Sequence, residues 1–164
     1  MTLPDCDAYE EAIERKAAEL KANIGNIPIA IDCSATPRPL SLARFLLMHG
    51  FRVYAVFLDE ISAVEKDDFY FLQKYRPMLS LRSTMHYKRR LLCRDDVKKY
   101  GTVLAIGQKA AYFTGTNHFV NLIENSGLYG YTGLLKILDM MAVAVREEKN
   151  VPAIIQTKAW GCQA

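Results

Sequence analysis

The sequence predicts an α/β fold: a Rossmann-like three-layer α/β/α arrangement around a mainly parallel sheet. Three observations lead there. Short runs that are apolar throughout recur along the chain, the pattern of strands covered on both faces. Between them lie segments with apolar residues at helical spacing. The two kinds alternate, as crossover connections in a parallel sheet require. A chain of 164 residues suits a single domain, expected to span residues 1–164 with a leading helix over 1–25 and a tail over 149–164.

The first helix is read from "DCDAYEEAIERKAAELKANIG", in which Ile13, Ala17, Leu20 and Ile24 repeat at helical spacing and Gly25 stops the helix. Asp7 and Glu10 resemble a capping box. "IPIAIDC", residues 27–33, is an Ile-rich strand with Pro28 at its start, and "LSLARFLLMHG" is a helix ended by Gly50. A second strand, "FRVYAVFLD" at 51–59, leads to a helix over 62–76 that Pro77 halts. "LSLRS" is a short strand. "TVLAIG" at 102–107 is a buried strand, "QKAAYFTG" a short helix, "FVNLIE" at 119–124 a strand, and residues 133–148 a long helix with a broad apolar stripe.

Composition narrows the function classes. An apolar fraction of 51% with 24% charged residues is ordinary for a globular domain and argues against disorder or fibres. No apolar run is long enough to span a bilayer, and the N-terminus is acidic where a secretory signal would be basic, so a cytoplasmic, membrane-free protein is expected. Cys6, Cys33, Cys93 and Cys162 are scattered with no C-x-x-C pair. Neither a disulfide framework nor a zinc ribbon fits them, and Cys33 is expected to be buried. Residues 1–75 carry 12 acids and 8 bases, whereas residues 76–164 carry 6 acids and 13 bases. Much of the basic excess falls in "HYKRRLLCRDDVKKYG" at 86–101, which reads as a solvated face or as a docking patch for an anionic partner. Nucleic acid is not expected, since no binding motif or interleaved aromatics accompany the run.

In parallel α/β folds ligands bind outside the carboxyl ends of the strands, which selects three loops. In "SATPRP" Ser34 and Thr36 are placed to cap the next helix, and two prolines stiffen the loop around Arg38, an arrangement suited to an anion or to a structural ion pair. In "IGQKAA" Gly107 ends a strand just before a helix. In "GLYGYTGLL" Gly127 and Gly130 permit turns or close approach of backbone to a ligand, Gly133 permits close helix packing, and Tyr129 and Tyr131 supply flat amphipathic walls. The G-x-G-x-x-G and Walker A fingerprints are absent, and no Ser/His/Asp set, carboxylate pair or metal-ligand cluster stands out. No catalytic or metal-ligating residue is therefore assigned, and His49, His86 and His118 read as structural.

"AIGQKAAYFTGTNHFVNLIENSGLYGYTGLLKILDMM" resembles the closing portion of the nitrogenase component 1 family, and "PIAIDCSATPRPLSLARFLLMHGFRVYAVFLDEIS" is similar to a strand-helix-strand unit of the same proteins. That family comprises nitrogenase molybdenum-iron protein subunits, cofactor-assembly scaffolds and dark-operative protochlorophyllide reductase subunits. The resemblance covers roughly residues 5–148, and "SGLYGYTGLL" is its most specific part. It implies an oxidoreductase domain that lines a metallocluster or tetrapyrrole site completed by other domains or by a paralogous or identical subunit, with electrons delivered by an ATP-dependent iron protein. The residues implied to line that site are Thr36, Arg38, Gly107, Asn121, Gly127, Tyr129, Gly130 and Tyr131. The family's cysteine-rich N-terminal region has no counterpart here. Where a nitrogenase subunit places a cofactor-ligating His upstream of the Ser-Gly turn this chain has Asn121, with His118 three residues off. The chain alone is accordingly expected to hold no iron-sulfur cluster, metal or tetrapyrrole and not to catalyse. A stand-alone scaffold or carrier for an anion or cofactor, and an unrelated anion- or sugar-nucleotide-binding enzyme, are the other readings.

Overall fold

The chain starts with helix α1 (Asp7–Ile24), which buries Ile13, Ala17, Leu20 and Ile24, the four positions its spacing singled out. The computed structural model describes residues 6–86, 96–123, 127–151 and 153–154. Cys6 is the N-cap of α1 and no side chain caps it, so Asp7 lies inside the first turn and acts there as a negative charge at the positive end of the helix rather than as a cap. Gly25, at φ +59°, ends the helix and turns the chain into β1 (Pro28–Asp32), which is buried at every position. The remaining elements are α2 (Pro39–Met48), β2 (Arg52–Phe57), α3 (Lys66–Leu72), β3 (Ser80–Arg82), α4 (Asp96–Tyr100), β4 (Leu104–Ile106), α5 (Gln108–Thr114), β5 (Phe119–Val120) and α6 (Gly130–Arg146).

All five strands are parallel, in the order β3-β2-β1-β4-β5. The chain winds outward from β1 in both directions, which with crossovers of one hand places helices on opposite faces. The observed cores agree. On one face Ala17 and Leu20 of α1, Leu42 and Leu46 of α2, Leu72 of α3, and Leu138 and Met141 of α6 share a cluster with Ile29, Ile31 and Ile106 of the sheet. On the other, Ala110 and Ala111 of α5, with Val97 and Tyr100 of α4, pack on Ala30, Ala55, Phe57 and Phe119. This is the expected three-layer Rossmann-like arrangement, with a sheet that is wholly rather than mainly parallel.

Several boundaries differ from the sequence expectation for local reasons. The helix expected over 62–76 is a short α3 flanked by 3-10 turns at Ala63–Glu65 and Gln73–Tyr75. Of the strand expected over 119–124, Phe119–Val120 pairs among the described residues, against a β4 that is itself three residues long, and Glu124 lies outside them. Helix α6 starts at Gly130, not Gly133. The basic stretch ends in α4, whose Asp96 accepts hydrogen bonds of 2.9 Å from both the Tyr54 hydroxyl and the Arg82 guanidinium. Burial and the Asp96 charge push the Tyr54 phenol well above its ordinary pKa. Residues 87–95, with Cys93, lie outside the described residues, as does Cys162. Val151 and Ile154, from the expected tail, pack into the second core.

Helix α2 is capped in a way the sequence did not indicate. Neither Ser34 nor Thr36 caps it; its N-cap is Arg38, with no side-chain cap bond. The acceptor instead arrives from 25 residues further on. Glu65 is 2% exposed, and its Oε1 accepts from the Leu40 and Ser41 amides at 2.8 and 3.0 Å. Asp68 of α3 accepts from the Ser41 hydroxyl and from Arg44 at 3.1 Å. Removing an acceptor from buried amides costs about 1–3 kcal/mol. Glu65→Ala is expected to lower unfolding free energy by that amount in urea titrations, with Glu65→Gln losing less than half as much because it retains the carbonyl acceptor. Equal losses for the two variants would show that burial of the side chain, not the cap, is what matters.

Candidate functional site

The strand order reverses between β1 and β4, and the loops that leave their carboxyl ends diverge to opposite faces, the point where open α/β sheets form a crevice. The last residue of β1, Asp32, is fully buried there. Its Oδ1 accepts from the Ser34 amide at 2.7 Å, the Ser34 hydroxyl at 2.5 Å and the Ala35 amide at 3.2 Å, while Oδ2 accepts from the Ala110 amide of α5 at 2.7 Å. Burial pushes this carboxyl upward, and the four hydrogen bonds pull against that. One side chain thus ties the loop after β1 to the first turn of α5. Sequence reasoning passed over Asp32; the available signal was an acid closing an otherwise apolar strand.

Asp32 also accounts for Gly107. That residue has φ +103°, and a Cβ built on it would lie 2.5 Å from the Asp32 carboxyl carbon and 2.6 Å from Oδ1. The glycine is therefore required by a protein carboxylate. Next to it, the Gln108 amide donates to Asn121 Oδ1 at 2.6 Å, joining the loops that follow β4 and β5. Cys33 is half-buried rather than buried; burial raises its thiol pKa, and the nearby Lys109 charge opposes the rise.

Arg38 lies at the start of α2 and is 54% exposed at its side chain, 3.6 Å from Asp68. Thr36 Oγ1 accepts from the Arg38 amide at 3.3 Å. The anion at the α2 N-terminus is the chain's own Glu65. Arg38 faces Asp68 of α3, whereas Tyr131 faces α1, so the partners of these two site candidates lie on different elements.

The loop before α6 is of another kind. Gly127 has φ +72° and Gly130 φ +60°, and among the described residues no atom lies within 4 Å of a Cβ built on either. Their identity follows from backbone conformation, and no described atom fills the space in front of either. At Gly133 an added Cβ would fall 2.5 Å from the Leu128 carbonyl carbon, so this glycine lets the helix close on its own loop rather than on the sheet. Tyr129 is 61% exposed. Tyr131 stacks on Tyr9 of α1 with ring centroids 5.8 Å apart and donates to Glu10 at 2.9 Å. Among the described residues no group of three His, Cys, Asp or Glu could hold a metal ion, and no helix is long and apolar enough to cross a membrane. His49 and His118 each contact a carbonyl oxygen of a helix's last turns, Phe45 at 2.8 Å and Ala144 at 3.1 Å.

A doubly wound parallel α/β domain with one glycine-rich loop left open at its carboxyl edge is the class that fold and geometry define. No protein-family model matches the sequence, and no curated protein matches it. Among solved structures, the chain is similar to one described as nitrogenase Cp1 at pH 6.5, with a TM-score of 0.62 and 11% identity over 98% of this chain and 36% of that one. The likeness is one of fold, and the chain spans about a third of that protein's length.

Two outcomes follow from this geometry. Gly130→Ala is expected to cost about 1 kcal/mol, the strain of placing a side chain at positive φ. Gly107→Ala adds collision with Asp32 and is expected to cost about 2–4 kcal/mol. Urea melts of the two variants check the order, and a Gly107→Ala chain as stable as the parent contradicts the account of that residue. The hydrogen bond to Glu10, then its charge, pushes the Tyr131 phenol up to about 12. A raised folded value means the contact stabilises fully below the phenol's ordinary value near 10 and is lost as pH rises through about 12. Absorbance titration at alkaline pH, with Tyr131→Phe to assign the signal, should show Glu10→Gln shifting Tyr131 back toward 10.

Proposed function

We propose that this chain is a domain of a nitrogenase component 1-like oxidoreductase, lining a metallocofactor or tetrapyrrole site that other domains or a partner subunit complete. The observation that carries the reading is the open loop Gly127–Tyr131 at the carboxyl edge of a sheet whose fold is similar to a nitrogenase chain over 98% of its length. Positive-φ glycines facing free space let backbone approach a large flat or polyhedral group, and Tyr129 beside them offers an exposed ring. In the same reading Thr36, Arg38, Gly107 and Asn121, which follow the carboxyl ends of β1, β4 and β5, contribute further groups to that site.

The residues present do not fit the role of metal ligand. Asn121 stands where the resemblance would place a ligating His, and the described residues offer no ligand cluster. In this reading any cluster is ligated by the other domains or the partner subunit, and no electron or proton step is assigned to the described residues. Delivery of electrons by an ATP-dependent iron protein belongs to the same proposal, as does a paralogous or identical subunit as partner.

Anaerobic purification separates this reading from that of a stand-alone carrier. The chain by itself is expected to be colourless and free of iron, since its four cysteines are scattered along the sequence with no C-x-x-C pair to seed a four-thiolate site. The complete protein that contains it is expected to carry iron or a tetrapyrrole, with absorption that shifts in Gly127→Val and Tyr129→Ala. A complete protein with neither chromophore nor iron refutes the proposal. One equivalent of cofactor on the isolated chain favours the carrier.

A further inference from the structure

Away from the carboxyl edge, the sheet ends at β3, whose outer side pairs with no strand among the described residues. Two hollows run along it and share Ile61 and Leu81. One, of about 520 Å³, lies between α3 and β3, with Phe69, Leu72, Leu79 and Arg76 in its walls. The other, of about 350 Å³, opens at the carboxyl end of β3 beside Asp59 and Glu60. Of the eleven large apolar or aromatic side chains exposed among the described residues, six belong to this quarter of the chain: Ile61, Val64, Tyr70, Met78, Leu81 and Met85. Of these, Ile61 and Leu81 line both hollows and form the apolar middle of the groove.

We infer that the β3 edge is the contact surface for a second copy of this chain, with two β3 strands antiparallel across a dyad at Leu81. The argument for a second copy is charge. Among the described residues the groove is basic at the amino end of β3, at Arg76, and acidic at its carboxyl end, where Asp59 and Glu60 lie and the charge of Arg82 is taken up by Asp96 at 2.9 Å, with an apolar middle at Leu81 and Ile61. A two-fold axis through Leu81 lays the basic end of each copy on the acidic end of the other and apolar middle on apolar middle. The surface is therefore complementary to itself, as an isologous interface requires. A three-residue strand makes too few ladder bonds to hold a dimer alone, so the side chains of the groove carry the contact and the strand edge sets its register. Asp59 is already held, accepting from the Thr84 and Met85 amides at 2.8 and 3.0 Å, which leaves exposed Glu60 as the acid that meets Arg76. This inference stands apart from the cofactor reading, since none of its residues belongs to the open loop.

Sedimentation equilibrium at roughly 1 to 100 µM protein tests it. The parent chain is expected to dimerise, and Leu81→Lys to be monomeric with unchanged circular dichroism. Arg76→Glu and Glu60→Arg should each weaken the dimer roughly tenfold, because the dyad doubles every repulsion. The double variant R76E/E60R should recover most of that loss. Both charged residues are exposed, so this pair decides the matter even if Leu81→Lys disturbs folding. A parent chain monomeric throughout the range, a dimer untouched by these changes, or no recovery in the double variant overturns the inference.

Discussion

The arrangement at the centre of this molecule depends on one buried carboxylate. At the carboxyl end of a parallel strand the chain must leave the ladder, and its amides lose their partners at the point where neighbouring loops also begin. Asp32 meets that demand for two loops at once by accepting from Ser34, Ala35 and Ala110. An ionised carboxylate without donors in such a place would cost several kcal/mol, and donors without an acceptor about 1–3 kcal/mol each. Together they offset one another, and the geometry that results leaves no room for a side chain at position 107.

The same solution recurs along the sheet. Asp59, two residues past the end of β2 at Phe57, accepts from the loop after β3; partial burial pushes its carboxyl up, but the bonds from Thr84, Met85 and Ser83 prevail and hold it below the ordinary value. Glu65 and Asp68 perform this service for the start of α2. Four of the twelve acids in the first 75 residues are thus committed to internal amides, hydroxyls and guanidinium groups. The negative balance of that half thus reflects in part how its loops are tied.

What could be read from the sequence was whatever depends on near neighbours. Ile29 to Ile31, Val53 to Phe57 and Leu104 to Ile106 announce buried strands because each needs cover on both faces, and Gly25 and Gly50 announce helix ends because only a chain free of Cβ adopts their positive φ readily. The loops were legible in position and much less so in partnership. Glu65 caps a helix 25 residues upstream and Asp32 caps one 78 residues downstream, and no local spacing encodes either. The start of α6 was misplaced by three residues because Gly133 resembles an initiating glycine, whereas its actual constraint is the Leu128 backbone.

These long-range pairs change how the three glycine- or proline-marked loops are weighed. A glycine in a strand-to-helix loop has two possible reasons, a neighbour that excludes Cβ or a backbone angle that disfavours it, and only the surroundings separate them. For Gly107 the neighbour is Asp32, and for the "SATPRP" loop the helix terminus it leads to is already occupied by Glu65. Both loops are explained by contacts within the chain. Gly127 and Gly130 have the angle without the neighbour, and the space their missing side chains leave is unclaimed by any described atom. Here the loop adopts a conformation that favours glycine, twice within four residues and beside an exposed tyrosine, and no described side chain or backbone atom accounts for the space in front of either glycine. That contrast is why the proposed cofactor role rests on Gly127, Tyr129 and Gly130, with Arg38 and Gly107 in a supporting part.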